Sequence, residues 1–381
     1  MRALIAFDKF KHALTARAAC AVAATTIRAR YPDWEIDLCP LTDGGEGFCE
    51  NLCLNLGESI APFKVHGPRG ELVVAPIGFV SPGMLTEATR LRIASDPQKA
   101  LAVIGLASAS GIELLRMDQR DPWHTTTFGT GELLRYAEDE KAGAILLGVG
   151  GSATNDLGLG ALAALGCKFL DASGANIPVP TPATWARIQR IDRSATIKLP
   201  PLLIAGDVTN PLHGPTGAAA TFGPQKGLQS ADLSRLEEQS ARMAALLCAA
   251  CSQPLSLANT PGAGAAGGIA FGLMVAADAQ LVSGFALVSD WFDLPARIAA
   301  ADLVITGEGR FDATSLGGKG PGSLVRAAVR LGKAAYIFSG SIDVPAIPGV
   351  RTHAISPAGM PLVEALPRTA ELLAVAINRE L

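Results

Sequence analysis

Aromatic side chains are scarce: 5% of 381 residues, with three Tyr and four Trp. Glycine is not scarce, at 41 residues. That pairing argues against an all-β binding module and for an α/β enzyme whose site is built from loops. Charge of one sign is also missing. The net charge is −3 and Lys and Arg form no block of five, which excludes an electrostatic footprint for nucleic acid or an anionic membrane. Long apolar runs are absent as well. The most apolar stretch, residues 269–288, is interrupted by Gly272, Asp278 and Gly284, so no membrane span of about 18 residues is expected. Charge arrives at Asp8 and Lys9, too early for the apolar core of a signal peptide.

Several catalytic signatures are absent too. The chain contains no G-x-x-x-x-G-K-[ST], no G-x-S-x-G and no H-E-x-x-H. Its C-x-x-C, Cys248 and Cys251, stands alone with no nearby His to complete a zinc site. The seven cysteines therefore read as buried thiols in a reducing, cytoplasmic setting. The five His are scattered, and none of them marks a site by itself.

What remains is a globular composition, 49% hydrophobic and 18% charged, long enough for two domains. Short β-branched apolar runs alternate with helical stretches. Strands are expected at 3–7, 35–38, 72–79, 101–106, 144–149, 201–205, 303–306, 335–339 and 352–355. Helices are expected at 16–29, 46–56, 131–140, 156–165, 231–250, 265–277, 322–331 and 362–378. Thr15 can cap the first helix, while Gly57, Gly166 and Gly332 follow the ends of three others. Alternation of this kind predicts parallel sheets with crossover helices. Both ends of the chain read as regular strand–helix units, whereas 67–100 and 171–200 are rich in turns. The expectation is an α/β protein of two domains. A discontinuous Rossmann-like parallel-sheet domain spans 1–66 and 285–381, and a second α/β domain, 67–284, is inserted in it.

Open parallel sheets bind ligands outside the carboxyl ends of their strands, and six such turns carry chemistry. Asp8-Lys9-Phe10-Lys11 places an acid and two bases past the first strand. Asp43-Gly44-Gly45-Glu46-Gly47 offers two carboxylates for a metal, or an N-capping pair for a helix. Gly148–Asp156 contains Gly150, Gly151, Ser152 and Asn155, small and polar residues that let a backbone approach phosphate. That loop also fits G-x-G-x-x-A with Asp171 downstream, so a dinucleotide site competes there. Gly206-Asp207 supplies a candidate general base. Pro261–Gly268, with Gly262, Gly264 and Gly267, suits a phosphate-binding loop or tight helix packing. Finally, Glu308, Arg310 and Asp312, followed by Lys319, combine metal-ligating acids with phosphate-neutralising cations. Small residues, acids and Lys/Arg at strand ends suit phosphoryl transfer, which needs positioning and charge neutralisation more than a strong nucleophile.

These segments, in this order, resemble the type-1 glycerate kinase family essentially end to end. The resemblance is carried by DKFKHALTA, LTDGGEGF, TFGTGELL, GVGGSATNDLGLGALAALG, DVTNPLHGPTGAAATFGPQKG, PGAGAAGG and DLVITGEGRFD. It implies ATP- and Mg²⁺-dependent phosphorylation of D-glycerate to 2-phosphoglycerate, in a cleft between two α/β domains. The chain departs from the family pattern in places. The family usually reads DSFKGSL where this chain has Lys9 for Ser and His12-Ala13 for Gly-Ser. Gly105 stands where the family tends to carry Glu, Leu157 interrupts GGSATNDG, and Ala313-Thr314-Ser315 follow Asp312 in place of x-Q-T. These departures bear on substrate choice.

Roles follow as expectations. Lys9 and Lys11 hold the glycerate carboxylate, and Asp207 or Asp43 accepts the proton of the attacking hydroxyl. Mg²⁺ sits among Asp43, Glu46, Glu308 or Asp312. Arg310 and Lys319 steady the transferring phosphoryl group. Backbone amides around Gly150–Ser152, beside Asn155, or around Gly262–Gly268 cradle phosphates. The partners expected are glycerate and ATP, with no nucleic acid and no membrane, in a monomer or homodimer. The competing readings are a kinase of a related hydroxy acid, an NAD-dependent hydroxy-acid dehydrogenase, and a non-catalytic sensor on a kinase fold.

Overall fold

The computed structural model describes residues 1–93, 96–316 and 320–381. Eleven strands build its two main sheets. In chain order they are β1 (Arg2–Phe7), β2 (Glu35–Leu38), β3 (Ile60–His66), β4 (Leu72–Val80), β5 (Leu101–Gly105) and β6 (Ala144–Gly148), then β7 (Leu202–Ala205), β8 (Gln280–Val282), β9 (Leu303–Gly307), β10 (Ala334–Ser339) and β11 (Val350–Ala354). The chain divides into two compact units. One comprises Met1–Asp43 with Phe285–Leu381, and the other comprises Gly44–Gly284. The first is thus discontinuous in sequence, but residues 44–66, which the sequence reading assigns to it, belong to the second unit. The physical reason is pairing: β3 forms an antiparallel hairpin with β4, and β4 pairs with β5.

The first unit holds a five-stranded sheet in the order β11-β10-β9-β1-β2, parallel throughout. Alternate residues of a strand face opposite sides, and here both sides are dry. Ile5, Phe7, Ile305 and Phe338 pack with Ala19, Ala23 and Ile27 of the helix Ala16–Arg30 and with Leu373 and Ile377 of the helix Thr369–Glu380. Leu4, Val304 and Ile337, on the opposite face, are fully buried as well. A sheet covered on both faces reads as continuous apolar runs, which is why these strands are legible in the sequence. The helix Ala16–Arg30 starts where expected, with the Thr15 hydroxyl accepting from the Ala18 amide at 3.2 Å. From β1 the chain moves outward to β2 and later returns on the other side at β9. The carboxyl ends of β1 and β9 therefore flank a topological switch point, the usual ligand position in such sheets.

The second unit holds six strands in the order β8-β7-β6-β5-β4-β3, with β5 to β8 parallel and β3 and β4 antiparallel. Its core gathers Ile104, Leu133, Ile145, Leu147, Leu162, Trp185 and Phe271. The segment Lys168–Leu170 does not join this sheet; it pairs antiparallel with Arg190–Asp192. The Asp171 carboxylate is taken up by the amides of Ser173 and Ala175 and by the Ser173 hydroxyl. A dinucleotide fold requires that strand to lie parallel beside β6 with its acid free to meet a ribose. The dinucleotide reading of Gly148–Ala153 is therefore corrected.

The glycine runs of this unit act as close-packing surfaces. Gly267 has φ of +72°, and a Cβ there would stand 2.0 Å from the Thr154 carbonyl oxygen. Ala266, Gly267 and Gly268 together form a left-handed kink inside the helix Ala265–Ala277. Gly267→Ala is expected to destabilise the fold by about 2–4 kcal/mol, because strain and overlap add. A shift of the urea midpoint at constant slope would register it, whereas an unchanged midpoint would show that the kink relaxes freely.

Candidate active site

The switch point of the first unit opens into a cavity of about 690 Å³. Two loops supply its charged side. The first follows β1 and brings Asp8, Lys9 and Lys11, and the second follows β9 and brings Glu308 and Arg310. Asp43 completes the set. No helix starts at Asp43: Gly44 and Gly47 adopt φ of +89° and +79°, and the helix Phe48–Leu54 begins after them. The N-capping role considered for Asp43 and Glu46 is therefore not what the structure shows. Instead the Lys9 ammonium donates to Asp43 Oδ1 at 2.8 Å. Asp8 is buried, and its Oδ1 accepts from the Lys9 amide at 2.6 Å. The Glu308 amide donates to the Ser339 hydroxyl, tying the β9 turn to the end of β10. Arg310 meets Asp343 at 2.5 Å and Asp312 at 3.5 Å, and is largely exposed.

Three cations (Lys9, Lys11 and Arg310) and four carboxylates (Asp8, Asp43, Glu308 and Asp343) thus line one cavity. Of the four acids expected to hold Mg²⁺, Asp43 and Glu308 stand on this wall together. Asp312 is not part of the lining. Its Oδ1 accepts from the Thr314 hydroxyl and amide, which holds the carboxyl below the ordinary carboxylate range. Glu46 belongs to the second unit, where Gly151 leaves room for it: a Cβ on Gly151 would lie 2.2 Å from Glu46 Oε1. Among the described residues, no three His, Cys, Asp or Glu side chains gather as a ready-made metal cage. Mg²⁺ is commonly held by one or two carboxylates plus substrate phosphates, and Asp43 and Glu308, with Asp8 beside them, fit that pattern. Asp8 was legible as part of its segment but not as a separate site residue. Lys319 lies outside the described residues.

Asp207 lies in the second unit, at the carboxyl end of β7. It lines a smaller cavity of about 280 Å³ with Gly206, Thr209, Gly262 and Ser283. The Ser283 hydroxyl donates to Asp207 Oδ1 at 2.9 Å. The two glycine loops expected to cradle phosphates are engaged with protein. The Gly150 amide donates to the Gly44 carbonyl, and the Gly264 amide donates to the Asn210 carbonyl. A Cβ at Gly150 would meet Gly45 at 2.7 Å, and one at Gly264 would meet the Pro211 carbonyl at 2.3 Å. Ser152 and Asn155 are buried beside them. Close backbone packing accounts for the lack of a side chain at Gly150 and Gly264.

A buried charge that the sequence did not single out underlies the Ser152–Asp156 loop. Lys226 is 2% exposed and donates from Nζ to the Thr154 carbonyl at 2.6 Å. Burial depresses its pKa from 10.5 to about 7, partly offset by Asp156. Asp156 is itself fully buried and accepts from the Thr127 amide and hydroxyl and from the Gly158 and Gly160 amides. Its pKa is raised because burial outweighs those bonds. For Lys226 the unfolded chain binds the proton more tightly, so its contribution to stability rises with pH between about 7 and the unfolded value. Lys226→Met is expected to remove that rise. Urea midpoints at pH 7 and pH 9.5 would show a smaller pH increment in the variant, and equal increments would contradict the buried-amine account.

A family model described as "Glycerate kinase family" matches residues 3–379. The chain is 35% identical to a Bacillus subtilis protein named "Glycerate kinase", over 98% of this chain and 95% of the relative. It is 36% identical to the "Glycerate 2-kinase" of Escherichia coli, over 90% and 86% respectively. A crystal structure from Salmonella typhimurium LT2, described as "putative glycerate kinase 2", superposes with a TM-score of 0.77 at 34% identity, covering 100% of this chain and 96% of the other.

Proposed function

From the premise that this chain belongs to the glycerate kinase family, we propose that it transfers the γ-phosphoryl group of ATP to D-glycerate, giving 2-phosphoglycerate, in a Mg²⁺-dependent reaction of the cytoplasm. The names of its relatives support the substrate. The observation that carries the chemistry is the wall at the switch point, where Lys9, Lys11 and Arg310 stand among Asp8, Asp43 and Glu308.

Phosphoryl transfer spreads negative charge over the oxygens of the moving group, so catalysis consists mainly of positioning and electrostatic stabilisation. Lys9, Lys11 and Arg310 supply positive charge for the phosphates and the substrate carboxylate. Asp43 holds Lys9 in place. Asp43 and Glu308 would hold Mg²⁺, which when bound with ATP supplies further neutralisation of the phosphate oxygens. Asp207 accepts the proton of the attacking hydroxyl, with Asp43 as the other candidate. The Ser283 hydroxyl orients Asp207 by donating to Oδ1.

Phosphorus NMR on protein, ATP, Mg²⁺ and D-glycerate tests this reading. Loss of the γ signal and growth of a phosphomonoester split by a single proton are expected, because carbon 2 bears one hydrogen. A signal split by two protons would place the phosphate on carbon 3. No new ester with glycerate, but one with a related hydroxy acid, would make the departures at Lys9, Gly105 and Thr314 determinants of substrate choice.

A further inference from the structure

The charged wall is only one side of the first unit's cavity. Another side is apolar and comes from the chain after β11. Ile355, Met360, Leu362, Ala365 and Leu366 line it. Ile355 and Ala365 are buried and packed into the core beneath, while Leu362 is 70% exposed. The helix Leu362–Ala365 and the turn Leu366–Arg368, interrupted by Pro367, hold these side chains toward the cavity. Thr369, also in the lining, spends its hydroxyl on the Ala365 and Leu366 carbonyls and so presents carbon rather than a polar atom.

Glycerate cannot use such a wall. Every one of its three carbons bears oxygen, so burying it against aliphatic side chains would desolvate polar groups without replacing their hydrogen bonds. A cavity of about 690 Å³ also falls within the ~300–1,000 Å³ typical of sites for larger ligands. A nucleoside triphosphate has the matching asymmetry: a flat, weakly polar base at one end and a string of phosphates at the other. The second unit's cavity near Asp207 is smaller, and its lining contains one acid and neither Lys nor Arg, so it lacks the charge a triphosphate requires.

We propose that the first unit's cavity is the nucleotide site, with the purine lodged against Ile355, Met360 and Leu366 and the phosphates directed at Lys9, Lys11 and Arg310. This assignment rests on the kinase reading but fails separately from it. The apolar wall then fixes the donor nucleotide, and residues 355–369 become the segment whose substitution separates ATP from glycerate in the kinetics.

The test uses Met360→Asp and Leu366→Asp in the full chain, both at partly exposed positions. Each variant is expected to raise KM for ATP tenfold or more while leaving KM for D-glycerate within twofold, and to weaken binding of a fluorescent N-methylanthraniloyl-ADP by a similar factor. A rise in KM for glycerate with ATP unaffected, or no change in either, would overturn the assignment. If the variants do not fold, photolabelling of the unsubstituted protein with 8-azido-ATP decides. Labelled peptides from 355–369 support the site, and labels confined to 44–284 contradict it. If the unsubstituted protein releases no ADP with any hydroxy acid yet binds the fluorescent nucleotide in an ATP-displaceable, Leu366-dependent way, the kinase reading fails and the nucleotide site stands.

Discussion

Lys9→Met is expected to lower kcat/KM by about 10²–10³-fold, the usual cost of removing one preorganised group that stabilises developing charge. Lys9 sits directly after β1 at the switch point, and its ammonium lies 2.8 Å from Asp43 Oδ1. Removing it takes away a positive charge and also the Lys9–Asp43 ion pair. Two further variants separate these effects. Lys9→Arg keeps the charge and should recover part of the activity, although a planar fork cannot reproduce the point-charge geometry. Combining Lys9→Met with Asp43→Asn should cost less than the sum of the single losses, since paired residues couple. Strict additivity in that cycle would show that the pair has no catalytic meaning. The substitution should leave the urea midpoint nearly unchanged, because both side chains are partly solvated and such pairs contribute on the order of 1 kcal/mol or less.

Asp207→Asn carries the second large effect. A positioned general base contributes about 10²–10⁴-fold, so kcat should fall by that amount while KM for ATP stays within a few-fold. The amide keeps the shape of the carboxylate and can still accept the Ser283 hydroxyl, but it cannot take up a proton. A pH–rate profile distinguishes this from misfolding: the acidic limb set by the base should disappear in the variant. Near-normal turnover would remove Asp207 from the role and transfer it to Asp43. In that event Asp43→Asn should show the lost acidic limb.

Much of the fold was legible because the central strands are buried on both faces. Arg2–Phe7, Ala144–Gly148 and Leu303–Gly307 are continuous apolar runs, and the structure places them within a residue or two of the sequence reading. The strands that escaped notice lack that signal. In β3, Pro62 and Lys64 break the apolar pattern, and only Val65 is fully buried. β8 spans three residues. Missing β3 moved the first domain boundary to 66, although the compact unit ends at Asp43. The C-terminal helix read as continuous is broken by Pro367 into Leu362–Ala365 and Thr369–Glu380. The break turns Leu366 toward the cavity.

The site divides in the same manner. Lys9, Lys11, Glu308 and Arg310 were visible because acids and bases directly after strands are unusual and chemically pointed. The glycine runs were harder. Whether Gly150, Gly151, Gly264 and Gly267 serve phosphate or backbone contact depends on which loops press against them, and Gly44, Thr154 and Pro211 do so from distant parts of the sequence. The apolar wall was not legible at all. Ile355, Met360 and Leu366 are ordinary aliphatic residues, and only the folded sheet brings them opposite Lys9, roughly 350 positions earlier in the chain. Lys226 was hidden for a similar reason, since nothing in its local sequence announces that it is enclosed against Thr154.

Glycerate phosphorylation by this chain is tested by a coupled assay of ADP release with ATP, Mg²⁺ and D-glycerate, run with each component omitted in turn. ADP release is expected to require all three and to fall at least a hundredfold in Lys9→Met. ADP release indifferent to D-glycerate and to every other small hydroxy acid would contradict it.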